Sequence, residues 1–192
     1  MDDSQQLAAV TGTFAELFEQ RYQTELVGGA DEPFYRTADS EHGRHQLYFR
    51  GDYVASALHE IAHWCIAGER RRQLDDFGYW YQPGERSAQL QRQFEAVEVA
   101  PQALEWLFAR SCGRRFQLSV DNFALDNRPP VPFAQAVCAR LQGWLQSATL
   151  PPRAAAFATA LAARRLPSTA AAVLFDPRQY SLAELLLAEA VA

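Results

Sequence analysis

Leu58-His59-Glu60-Ile61-Ala62-His63-Trp64-Cys65-Ile66 is the stretch on which the reading of this chain turns. Its apolar residues, with Ala55 before them, recur at three- and four-residue spacings. A helix is therefore expected from Tyr53 to about Ala67, with Gly68 as its stop. On such a helix His59 and His63 share one face, one turn apart, with Cβ atoms ~5–6 Å from each other. Two imidazoles so placed can grip one divalent ion. Glu60 sits about 100° around the helix from His59 and reaches the rim of the same site, where the zincin glutamate acts as general base. Burying two imidazoles without partners would be costly, which argues against chance spacing.

A site with two histidines needs a third ligand. The next helical region, 87–110, carries Phe94-Glu95-Ala96-Val97-Glu98-Val99 and then Gln102. Glu95 and Glu98 are three apart and share a face, so either can supply the carboxylate. Glu98, flanked by two valines as an inward-pointing acid would be, is the favoured ligand, and Glu95 is the runner-up. Gln102, one turn on, is expected to hydrogen-bond a ligand histidine from outside the coordination sphere. Two histidines and one carboxylate with open positions suit two chemistries. Zn2+ would activate water for hydrolysis by a peptidase or nuclease, and Fe2+ would bind O2 and oxidise a C–H bond. Spacing does not choose between them.

Working outward, residues 5–26 place Leu7, Val10, Phe14, Leu17, Phe18 and Tyr22 on one helical face, with Gly28-Gly29 expected to end that helix. Phe34–Arg36 and Gln46–Phe49 read as short strands, and Gly51-Asp52 as a turn. Arg70 to Arg72 read as a solvated helix terminus. Residues 75–84 form a loop dense in aromatics, in which Asp75, Asp76, Tyr79, Trp80 and Tyr81 offer an acidic, aromatic mouth. Pro101 marks a restart or kink in the long helical region. Phe116–Val120 reads as a strand, Asp121 and Asn122 as polar loop residues, and 133–147, 153–165 and about 181–191 as helices. The fold class expected is α+β: one domain with the H-E-x-x-H helix, a small sheet and additional C-terminal helices, with 1–165 as the functional domain and 166–192 as a helical tail packed on it.

The whole chain has 192 residues, 48% of them hydrophobic and 12% aromatic, enough for a real core, and a net charge of -5. That balance disfavours stable nucleic-acid binding, which needs a clustered positive surface, and suits a basic partner. Three widely spaced cysteines, Cys65, Cys112 and Cys138, argue against a disulfide framework or a cysteine-built zinc site. No apolar stretch of about 18 residues suggests a membrane span, and the N-terminus carries no leader pattern. A reduced, cytoplasmic protein is expected.

Four stretches together resemble the elongation factor P hydroxylases of proteobacteria. They are Asp31-Glu32-Pro33-x-Tyr35; Tyr53-x-Ala55-Ser56-Ala57-x-His59-Glu60-Ile61-x-His63-Trp64-Cys65-Ile66-Ala67-Gly68; Asp76-Phe77-Gly78-Tyr79-Trp80-Tyr81; and Gln93-Phe94-Glu95-x-Val97-Glu98-Val99-x-Pro101-Gln102-Ala103-Leu104. H-E-x-x-H alone is generic, but joined to D-F-G-Y-W-Y it is far more specific. The resemblance spans roughly residues 7–165 and leaves the tail unmatched.

The resemblance implies an enzyme that hydroxylates the β-lysylated lysine of elongation factor P, the last step in that factor's maturation. It implies a site similar to the two-histidine, one-carboxylate triad of non-haem iron enzymes, with Fe2+ as cofactor and O2 as co-substrate. It also implies a zincin-like, metal-hydrolase-like fold, similar to a bacterial endoribonuclease of ribosomal RNA maturation, in place of the jelly roll of typical iron oxygenases. On that reading His59, His63 and Glu98 hold the metal, Glu60 tunes bound water or orients the substrate amine, and Asp76, Tyr79, Trp80 and Tyr81 receive the cationic side chain. No strand-borne H-x-D motif with an arginine for 2-oxoglutarate is present. The rival readings are a zinc-dependent hydrolase using the same residues and a non-enzymatic binding module.

Overall fold

In the computed structural model, which describes residues 2–76, 88–119 and 130–187, a three-stranded sheet of order β1-β3-β2 packs against a set of helices. The strands are β1 (Thr24–Ala30), β2 (Phe34–Arg36) and β3 (His45–Arg50). β1 pairs parallel with β3, setting Leu26 against Leu47, and β2 pairs antiparallel with β3, setting Tyr35 against Leu47. Along β3, Leu47 and Phe49 are buried and lie two apart on one face, as a strand with one side on a core requires. Gly28 of β1 is needed for that packing, because a Cβ there would come within 2.7 Å of the Phe49 ring.

The first helix differs from expectation. α1 (Asp3–Phe14) begins with a capping box, Asp2 accepting from the Gln5 backbone while Gln5 reaches back to Asp2. It continues through a π-helical turn (Ala15–Glu19) and a short α2 (Gln20–Tyr22), and stops at Gln23, whose φ of 49° is left-handed. The helical face from Leu7 to Tyr22 is as expected. The last residues assigned to that helix, with Gly28-Gly29, instead form β1, because β3 offers them hydrogen-bond partners that a local reading cannot see.

α3 (Val54–Ile66) follows the tight turn at Gly51, whose φ is 49°. It buries Val54, Ala57, Leu58, Ile61, Ala62, Trp64 and Cys65, and leaves His59, Glu60 and His63 half-buried. The helix stops just before Gly68, as expected, with Ala67 at φ -56° and ψ 121° and Gly68 not in the left-handed region. The end is closed by two arginines. Arg153 donates to the carbonyls of Trp64 (3.0 Å), Cys65 (3.1 Å) and Ala67 (2.5 Å), and Arg72 donates to Ala67 at 2.7 Å. Both guanidinium groups also lie over the Trp64 ring, Arg153 at 4.8 Å and Arg72 at 5.9 Å from its centroid. Arg72 is therefore a half-buried cap and no solvated terminus, since unsatisfied helix carbonyls and an aromatic face attract a cation to the same place.

α4 (Ala88–Cys112) is 25 residues long and runs through Pro101 without interruption. Proline removes the bond to the carbonyl four residues earlier, and that residue, Val97, is exposed to solvent. From Ala103 to Ala109 the helix is buried on all sides, with α3, α5 (Val131–Gln146) and α6 (Pro152–Ala163) packed around it. Phe116–Val120 is not a strand where it is described. Phe116 and Leu118 are buried, but the backbone of Ser119 pairs with the side chain of Gln102, 2.7 and 3.0 Å in the two directions, and with no neighbouring strand.

The tail forms α7 (Ser168–Val173) and α8 (Leu182–Leu187). Tyr180 and Leu185 belong to the same core as α3 and α4, and Trp106 donates to Glu184 at 3.2 Å. The three cysteines are free and buried. Burial pushes the Cys65 thiol up, so it packs α3 and offers no thiolate. Among the described residues no helix is long and apolar enough to cross a membrane.

Candidate metal centre

The local sequence dictates one half of the site and packing supplies the other. The register of α3 aims His59 and His63 from its polar edge, with ring centroids 4.7 Å apart and their Nε2 atoms 3.1 Å apart. α4, packed against α3, brings Glu98 to both. One carboxylate oxygen is 3.3 Å from His63 Nε2 and the other is 3.5 Å from His59 Nε2. Ligand atoms of the three residues all lie within 4.8 Å of one another.

Glu98 is buried, and its Oε2 has no hydrogen-bond partner. His59 Nε2 is 3.5 Å from that oxygen, beyond hydrogen-bond reach, and a divalent cation shared with two imidazole lone pairs would satisfy it directly. The donor set therefore fits a single metal ion. Three protein ligands leave further positions for a water molecule or a small co-substrate.

The electrostatics follow from the crowding of acids around two rings. Burial disfavours a charged His59, but the Glu105 hydrogen bond and the charges of Glu105, Glu98 and Glu60 overcome it and raise the imidazole to about 10. Burial likewise opposes ionisation of Glu98, yet the His63 hydrogen bond, the two imidazoles and the Gln102 amide hold its carboxyl down to about 2. Glu60 is pushed the other way, by burial against the pull of His59 and His63 and by repulsion from Glu98 and Glu105. In the metal-free site one proton can bridge the two Nε2 atoms, which are 3.1 Å apart, the tautomer deciding which ring donates it. A metal ion takes that proton's place.

The residues singled out from the sequence fall into three groups. His59, His63 and Glu98 converge, with Glu60 next to His59 in the same turn of α3. Glu95 stays outside the cluster and accepts a hydrogen bond from Gln91 at 3.0 Å. Gln102 does not bond a histidine; it is held by the Ser119 backbone, because its amide matches a free N–H and C=O there. The carboxylate of Asp76 pairs with Arg71, and its backbone bridges Tyr35, so it fastens its segment to β2. Asp75 accepts from Thr37. Tyr79, Trp80, Tyr81, Asp121 and Asn122 lie outside the described residues. The residue that sequence reasoning missed is Glu105, whose Oε2 is 2.9 Å from His59 Nδ1. Its seven-residue spacing from Glu98, two helical turns along one stripe, was the available signal.

An α+β fold whose packed helices gather two imidazoles and a carboxylate around one point defines a class of protein able to hold a single divalent ion. Within that class the particular family is clear. Residues 13–171 match the model of the elongation factor P hydroxylase family, and the chain belongs to that family. It is 45% identical over 157 residues to the elongation factor P lysine hydroxylase of Haemophilus influenzae, an alignment covering 82% of this chain and 88% of that protein.

Proposed function

We propose that this chain hydroxylates the β-lysylated lysine of elongation factor P, with Fe2+ held by His59, His63 and Glu98. The observation that carries the reading is the gathering of those ligand atoms within 4.8 Å around an unpartnered, buried Glu98 oxygen, in a chain of the elongation factor P hydroxylase family. When bound, Fe2+ supplies the O2 activation that oxidation of an unactivated C–H bond needs. The helix-borne H-E-x-x-H pair and a carboxylate from the following helix support a zincin-like relationship for the fold.

The chain's own residues account for the rest. His59 and His63 present Nε2 lone pairs, and Glu98 contributes the negative charge that favours a dication. Glu60 has no hydrogen-bond partner among the described residues and stands beside both ligand histidines; it orients the substrate ammonium group or a water at the metal. The half-buried Glu60 and the buried Glu98 and Glu105 leave the loaded site attractive to a cationic side chain and hostile to phosphate, consistent with a lysine substrate and with no nucleic-acid partner. Tyr79, Trp80 and Tyr81 are the proposed cation–π wall, whereas Asp76, occupied by Arg71, is left out of that role. Residues 1–165 are read as the hydroxylase domain and 166–192 as a divergent tail on it. A translation factor as substrate places the enzyme in the cytoplasm.

The test is mass spectrometry of elongation factor P from cells with and without this protein. The modified lysine is expected to be heavier by one oxygen atom only when the wild-type chain is present, and not with His59→Ala. Stoichiometric zinc in protein purified without chelator, together with peptide or RNA cleavage and no O2 uptake, would replace this reading with the hydrolase one.

A further inference from the structure

Three carboxylates surround the two imidazoles: Glu98 faces both Nε2 atoms, Glu60 stands beside them on the same helix, and Glu105 meets one ring from behind. Glu105 is buried, comes from α4, and meets His59 on the side of the ring away from His63 and Glu98. A neutral imidazole has one lone pair, and the proton's position decides which nitrogen carries it. A carboxylate 2.9 Å from Nδ1 accepts a proton there and leaves the lone pair on Nε2, the nitrogen that faces Glu98 at 3.5 Å and His63 at 3.1 Å.

The backbone behind Glu105 is rigid. Glu98, Gln102 and Glu105 lie at i, i+4 and i+7, one stripe of α4. Gln102 is pinned by two hydrogen bonds to Ser119, and the next residue after Glu105, Trp106, is fully buried and donates to Glu184 at 3.2 Å. One helix thus carries both the acid that faces the cation and the acid that aims a histidine at it, so neither can shift without the other.

We propose that Glu105 is a positioning residue that holds His59 with Nδ1 protonated and Nε2 turned to the metal. The proposal rests on the metal-centre reading. Loss of such an outer partner weakens metal binding by about 10–100-fold.

The full-length wild type, Glu105→Ala and Glu105→Gln are to be compared by Zn2+ titration against a chromophoric chelator. The Zn2+-loaded proteins are also compared by 1H–15N correlation of the histidine rings. In the wild type, one Zn2+ binds and His59 shows a protected, downfield Nδ1 proton with a metal-shifted Nε2. Glu105→Ala is expected to bind Zn2+ at least about fivefold more weakly, towards the full loss above, and to lose the Nδ1 proton signal. Glu105→Gln, which keeps an acceptor oxygen without the charge, should retain the signal and fall between the two. A purely structural role would lower the melting temperature of the metal-free variants and leave the Nδ1 signal and the order of affinities unchanged; that result overturns the proposal, as does a loss smaller than about fivefold in Glu105→Ala. If Glu105→Ala does not fold, Glu105→Gln decides: weaker Zn2+ binding supports the proposal, and affinity equal to wild type overturns it. A wild type that binds no Zn2+ removes the metal-centre reading itself, whereas a wild type that binds it beside equally tight variants removes only the role of Glu105.

Discussion

The two sides of α3 are built from adjacent residues and held by opposite physics. On one side His59 and His63 face carboxylates of α4, a half-buried polar edge in which Glu98 keeps an unpartnered oxygen. On the other side Trp64 is buried among Phe14, Phe18 and Tyr22, with ring centroids 5.0 to 5.2 Å away, and the helix end is closed by Arg72 and Arg153. The aromatic side holds itself together through apolar burial and satisfied carbonyls, although Trp64 Nε1 and Arg153 Nε make no hydrogen bond. The polar side gathers three ligand atoms that could hold a cation. The difference teaches that the site is kept in shape by residues that never touch it, so that its like-charged acids can be crowded together without collapsing the helix.

The largest expected effect falls on the polar side. His63→Ala or Glu98→Ala should abolish hydroxylation of elongation factor P and weaken metal binding by more than the roughly 10–100-fold cost of losing an outer partner. Metal analysis and mass spectrometry of the factor would check this, with near-normal unfolding of the metal-free protein. Next comes the aromatic side: Trp64→Ala should cost about 3–5 kcal/mol of stability in denaturant unfolding. If instead it left stability intact and removed only metal binding, the division between the two sides would be wrong.

Arg153→Ala, which uncaps three carbonyls, should cost about 2–3 kcal/mol in the same unfolding experiment and lower metal affinity much less than the ligand variants do. Smaller again is the effect of pH on metal loading. His59 holds a proton up to about pH 10 in the metal-free site, so binding releases it, and affinity should rise about tenfold (~1.4 kcal/mol) per pH unit across neutrality. The sign for stability is the reverse. A histidine raised from 6.5 to about 10 stabilises the metal-free fold fully below 6.5 and loses that contribution as pH climbs through 10. Glu98, lowered from 4.5 to about 2, stabilises above 4.5 and loses its contribution as pH falls through 2. Their joint plateau in a pH series of metal-free unfolding is therefore expected between 4.5 and 6.5. Smallest of all, Glu95→Gln should change metal affinity by less than about 0.5 kcal/mol, because Glu95 lies outside the cluster.

Much of the fold and of the site is legible in residue spacing alone. The period of α3, the shared face of His59 and His63, and the strands at Phe34–Arg36 and Gln46–Phe49 are local properties of spacing and residue type. The choice of Glu98 over Glu95 as the acid that faces both Nε2 atoms follows from its valine neighbours, although Val97 itself is exposed. What spacing does not carry is which distant group completes each local one. A local reading extends the first helix into β1, because the partner strand β3 is remote in sequence. It gives Gln102 to a histidine, whereas Ser119 claims it, and it leaves Arg72 in solvent, whereas Trp64 and Ala67 hold it.

By itself the sequence determined that two imidazoles would stand one turn apart beside an acid, because an α-helix turns through the same angle wherever it forms. Only the tertiary structure decided that Glu105 lies against His59 from 46 residues away and that Arg153 closes α3 from 89 residues beyond Trp64. Those contacts depend on how α3, α4 and α6 pack around one core, and packing is settled by the shapes of many side chains at once, which no short spacing encodes.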